Sequence, residues 1–134
     1  LEVLKESYKY LNNNLSLLGK HVSPFKFTPE GEDYDENEEK ASMKYRDAHN
    51  EFLQYFSSNS IYLDEDTEVL LISFFKESGE IFNDYDKKQI YKSMGEKLER
   101  EDNLASVFAY KKIPEIIYPL KKQIELKFRE LLGE

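Results

Sequence analysis

Apolar side chains recur at spacings of three and four along most of this chain, the period of helices that bury one face. Over residues 1–18 the seam is Leu1, Leu4, Tyr8, Leu11, Leu15 and Leu18, and Gly19 stands where a left-handed helix cap is wanted. No such period crosses residues 20–37, which hold Pro24, Pro29 and Gly31 and are expected to form a long connection. Val22, Phe25 and Phe27 in its first half are expected to pin it to the rest of the protein. A second helix is predicted from about Glu36 to Ser58, burying Ala41, Tyr45, Ala48, Phe52, Tyr55 and Phe56. Asp64 is a suitable N-cap for a third helix, with Glu65, Asp66 and Glu68 in its first turn and Leu63 as a staple. That helix is expected to end near Asp84 after burying Leu70, Leu71, Phe74, Phe75, Ser78, Ile81 and Phe82.

Beyond Asp86 the pattern loosens. Ile90, Met94 and Leu98 mark a short amphipathic stretch, and an apolar stripe then runs from Leu104 to Leu131. Pro114 and Pro119 interrupt that stripe. Proline has no N–H and clashes with the carbonyl four residues back, so a kink is expected near Lys112 within a C-terminal helix of about residues 103–132. Pro114 then falls in the first turn after the kink, and Pro119 raises the prospect of a second bend. Four to five helices on one core predict a single all-α domain over residues 1–134, an antiparallel bundle with a long acidic loop, about residues 20–37, after its first helix.

Composition agrees with a helical reading and narrows the chemistry. Charged residues make up 34% of the 134, glycine and proline are scarce, and 9 Phe with 10 Tyr supply an aromatic core that a disordered chain of this charge would lack. The absence of cysteine removes disulfides, thiolate nucleophiles and cysteine metal sites. No run approaches the roughly 20 apolar residues of a membrane span. The net charge of −8 is uneven: residues 30–40 and 41–84 carry −6 each, and the two ends +2 each. Seven acids, Glu30, Glu32, Asp33, Asp35, Glu36, Glu38 and Glu39, fall within ten residues without a base. A nucleic-acid binder requires the reverse, a basic face with aromatics interleaved, so nucleic acid is not expected as a partner.

Each catalytic or metal pattern fails at a named position. His49 sits on a helix with Arg46 where the Glu of a di-iron Glu-x-x-His pair belongs, and His21 falls in the expected loop. Neither lies in a His-Glu-x-x-His sequence, and no nucleophile elbow accompanies them. Asp33, Asp35 and Asn37 open like an EF-hand, yet Glu38 and Lys44 occupy the positions that demand Gly and a bidentate Glu. Asp64, Asp66 and Glu68 fail likewise at Val69 and Phe75. Gly79 and Gly95 interrupt helical patterns at a cost of about 1 kcal/mol each and mark close approach or a local break. Tyr8, Tyr45 and Tyr55 are read as core residues with their hydroxyls at the boundary, the other reading being an aromatic-lined ligand cavity. No catalytic, cofactor-binding or metal-ligating residue is assigned, no cofactor is expected, and the chain is read as a non-enzyme.

Ile113-Pro114-Glu115, then Leu120, Ile124 and Phe128-Arg129-Glu130-Leu131-Leu132-Gly133, make a distinctive ending. With the segment from Ala48 to Leu71, which contains Asn59-Ser60-Ile61-Tyr62-Leu63, it resembles small bacterial proteins of uncharacterised function. In those, one N-terminal transmembrane helix precedes a helical cytosolic domain. The resemblance implies a domain at the cytoplasmic face of the membrane or in the cytoplasm, and carries no activity. The expectation is an interaction or scaffold domain with a protein partner or self-association, touching a membrane only through a segment outside these residues. A ligand-binding or sensor bundle with a Tyr/Phe-lined cavity is the alternative.

Overall fold

A computed structural model describes every residue except Leu98, and all regular elements among the described residues are helical. They are α1 (Glu2–Val22), α2 (Tyr34–Asn59), α3 (Glu65–Ser93), α4 (Arg100–Phe108) and α5 (Tyr118–Leu131). A 3-10 turn at Ser60–Tyr62 joins α2 to α3, and a 3-10 turn at Ala109–Lys111 with a π turn at Ile113–Ile117 joins α4 to α5.

Cross-helix contacts define an up-down-up-down bundle. Tyr10 stacks on Phe52 at 5.6 Å and Asn14 donates to the Ala48 carbonyl at 3.2 Å, so α1 and α2 run antiparallel. Phe56 meets Phe75 and Tyr45 meets Phe82, which reverses the chain again into α3. Asp102 reaches Lys87, Lys112 reaches Asp84 and Lys127 reaches Asp64, so α4 and α5 together return along α3 as one broken fourth leg. The core fills with aromatic rings: Phe52 and Phe75 lie 4.6 Å apart edge to face, a geometry that adds to their area burial.

Several boundaries differ from the sequence reading, each for a tertiary reason. Gly19 does not cap α1, which continues to Val22 because His21 and Val22 are both buried against other helices. The connection therefore shortens to residues 23–33, and Asp33 caps α2 by accepting the Glu36 N–H at 3.0 Å. Phe25 and Phe27 do not pin it, being 87% and 85% exposed. Lys26 does so instead, through Glu38 and Tyr85. On α2, Glu38 and Ser42 take the inner face where Ala41 was expected.

Asp64 caps α3, accepting the Thr67 N–H at 2.9 Å, and Leu63 packs against the core. α3 passes Asp84 without a break and ends at Ser93, beyond which Gly95, with a φ of 71°, lets the Glu96 N–H turn back to the Tyr91 carbonyl at 2.9 Å. Ile90 and Met94 thus belong to its exposed end, and Leu98 lies outside the described residues. The kink expected near Lys112 is the irregular segment Ala109–Ile117. Pro114 sits in its π turn and Pro119 in the first turn of α5, so one interruption of the hydrogen-bond ladder accommodates both.

His49 is half-buried at the bundle boundary, with Nδ1 3.2 Å from the Tyr45 hydroxyl and its ring 3.8 Å from where a Cβ on Gly79 would lie. Burial holds its pKa below the ordinary histidine value. The unfolded chain therefore takes up that proton first, and the stability His49 contributes is full above about pH 6.5 and lost as the pH falls through the folded value. His49→Gln is expected to flatten the stability slope just below that pH, read by urea titrations at stepped pH. A slope unchanged from wild type would contradict this assignment.

Candidate functional site

Two features stand out at opposite ends of the bundle. At the end where α1 finishes and α2 begins, charged side chains are buried together. His21, on the last turn of α1, places Nε2 2.7 Å from Asp86 Oδ1 of α3. Ser42 of α2 donates to Asp86 Oδ2 at 2.7 Å, and Arg46 reaches the same oxygen at 3.6 Å from a half-exposed position. The His21 ring lies against Tyr85 and Phe82, at 4.8 and 5.5 Å between centroids. Burial opposes the charge on Asp86, but the hydrogen bonds from His21 and Ser42, with the positive charge of Arg46 nearby, outweigh it and hold the carboxyl below its usual range.

A second set adjoins the first. Lys26 from the loop meets the buried Glu38, donates to the Tyr85 hydroxyl at 2.7 Å and lies 4.6 Å above the Tyr85 ring. Tyr85 in turn donates to Glu38 at 2.8 Å. Burial pushes the Lys26 ammonium down against the pull of Glu38, and burial with the Glu38 charge pushes the Tyr85 phenol up. These contacts tie α1, the loop, α2 and α3 at one level. A cleft of about 590 Å3 opens beside them between α2 and α3, with Glu38, Ser42, Arg46 and Asp86 on its inner side and the Asp35–Lys92 pair, 2.9 Å, at its rim.

The arrangement does not form a nucleophile–base relay. Ser42 and His21 each bond to Asp86 rather than to one another, so His21 is not placed to take the Ser42 proton. Asp86 accepts from both, and a carboxylate held below its usual pKa is a weak base. The cluster acts as a buried tie between helices. The acidic pairs read against EF-hand loops are also occupied in the protein's own structure: Asp33 and Asp64 cap helices, Asp35 pairs with Lys92, and Lys127 lies 3.2 Å from Asp64 and 3.6 Å from Asp66.

His21 is therefore not the loop residue that the sequence suggested. The signal lay in continuing two patterns: His21 follows Leu18 by three on the first seam, and Asp86 follows Phe82 by four on the third. A polar residue on an apolar stripe reads as a boundary until its partner, here 65 positions away, is known.

The opposite pole is apolar and open. Leu1, Ile61, Tyr62 and Leu132 stand exposed where α1 starts, α2 turns into α3 and α5 finishes. Two grooves share Leu1 and Leu4 there. One of about 450 Å3 lies between α1 and α5 over Leu4, Tyr8, Phe128 and Leu132, and one of about 410 Å3 lies over Leu4, Tyr62, Leu63 and Leu131. Tyr45, by contrast, is sealed in the core, where burial pushes its phenol up to about 12. Tyr8 and Tyr55 are partly buried, Tyr8 donating to Glu125 on α5. Among the described residues no helix is long and apolar enough to cross a membrane. Compared with family models, curated proteins and solved structures, the chain gave no match.

Proposed function

We propose that this chain is a helical interaction domain that engages a protein partner through its apolar pole, as the cytosolic part of a membrane-anchored bacterial protein. The observation that carries the reading is the exposure of Tyr62 and Leu132 on two adjoining grooves, with Ile61 exposed beside Tyr62. Scattered surface leucines are ordinary, whereas contiguous apolar surface around grooves marks contact sites. The anchored setting draws its support from the resemblance of the chain's ending and of residues 48–71 to bacterial proteins of that plan. The full-length gene tests it: an upstream apolar run of about 20 residues supports the anchor, and a gene without one overturns it.

Photocrosslinking tests the interface. A benzoylphenylalanine placed at Ile61 in the full-length protein is expected to give discrete adducts in cells, and the same group at Lys76, exposed on the outer side of α3, is not. Equal yields at the two positions, or none at either, would remove the reading. The alternative of a ligand-binding bundle is favoured by one observation, the volume of the α1–α5 groove, which falls in the range of small-molecule pockets. That groove is lined by three leucines and three basic residues, with Tyr8 and Phe128 among them.

A further inference from the structure

We infer that the groove between α1 and α5 docks an acidic amphipathic helix of a partner protein, an assignment that rests on reading this pole as an interface. The floor of Leu4, Tyr8, Phe128 and Leu132 is apolar, and the rim carries Lys5, Lys9 and Arg129. Such a basic surplus is out of keeping with a chain of net charge −8. Glu125, the one acid lining the groove, accepts from the Tyr8 hydroxyl, and Lys121 lies 6.0 Å over the Tyr8 ring. Among the described residues Lys5 and Arg129 form no ion pair, and Lys9 reaches only Glu6, at 3.4 Å on the surface. Their counter-charge is therefore free to come from another molecule.

Charge selects the occupant, and the apolar floor accepts the anchors that an amphipathic helix presents at i, i+3 or i+4, and i+7. Acids flanking those anchors would face the basic rim, which gives orientation and specificity. A second copy docked symmetrically would set one basic rim against another, a like-charge contact that disfavours a dimer through this face. A nucleic acid matches the rim but brings no aliphatic side chains for Leu4 and Leu132 on the floor.

Fluorescence anisotropy with two synthetic helices that share one leucine stripe, flanked in one by Glu and in the other by Lys, tests the assignment on the whole chain. The Glu-flanked helix is expected to bind saturably and about tenfold or more tighter than its Lys-flanked twin, with the preference fading as salt rises. The double variant Lys5→Glu/Arg129→Glu, whose fold is checked by its melting curve, is expected to reverse that preference. Indifference to the flanking charge, or a preference that survives the double variant, overturns the proposal. Saturable binding of laurate without binding of the Glu-flanked helix also overturns it, in favour of an anionic amphiphile. Peptide preference without crosslinks at Ile61 would sink the cellular interface and leave the groove assignment standing; crosslinks without peptide preference would do the opposite.

Discussion

Asp86→Ala is expected to lower the unfolding free energy by about 3–5 kcal/mol, read from urea denaturation near neutral pH. The carboxylate is buried and accepts from His21 and Ser42, each at 2.7 Å, with Arg46 nearby. Removing it leaves the His21 ring enclosed with Nδ1 already lacking a partner and Nε2 newly without one. The cost thus comes from a stranded polar group more than from a lost attraction, and it is large against a typical total of about 5–15 kcal/mol. Replacing both partners, as His21→Leu/Asp86→Leu, is expected to cost less than the sum of the single variants, because neither is then left alone. Acid should narrow the difference between wild type and Asp86→Ala. The folded state holds this carboxyl ionised below its ordinary range, so its contribution is full above about pH 4 and is lost as pH falls through the lower folded value. A single variant within about 1 kcal/mol of wild type would show that the tie carries little of the stability.

Phe52→Ala is expected to cost a similar amount, about 3–5 kcal/mol, through a cavity rather than a stranded polar group. Phe52 is fully buried and meets Tyr10 at 5.6 Å, Phe74 at 6.2 Å and Phe75 at 4.6 Å, so it joins α1, α2 and α3. Its neighbours are rings held by their own contacts and cannot close the space. A fall in Tm on the order of 10–20 °C should follow, with Phe52→Leu recovering much of it. A Tm within a few degrees of wild type would mean that the core repacks freely around this position.

Periodicity and capping chemistry, read along the chain, were enough to place the helical bundle. The seam through Leu4, Leu11 and Leu18, the α2 stripe through Tyr45, Ala48, Phe52 and Phe56, and the Asp64 cap are local patterns whose physics needs no distant partner. The proline interruption was equally local, since a missing N–H disturbs its own ladder wherever the helix lies. The candidate site was not legible in this way. His21, Glu38, Ser42 and Asp86 are polar residues that ended or shifted a predicted stripe, and the structure places all four inside. Burying a charge is favourable only when its counterpart arrives, and here the counterparts come from α1, the loop, α2 and α3.

Phe25 and Phe27 were placed by the same kind of long-range contact: nothing in their own sequence excluded them from the core, yet Lys26 between them, and not either ring, meets Glu38 and the Tyr85 ring. Sequence alone therefore determined that the chain is all-α and where most of its apolar faces lie. Only the tertiary structure decided which polar groups are buried, how far α1 and α3 extend, and which apolar faces remain uncovered at the pole. Periodicity depends on neighbours a few residues apart, whereas the burial of a charge depends on partners 12 to 65 residues away.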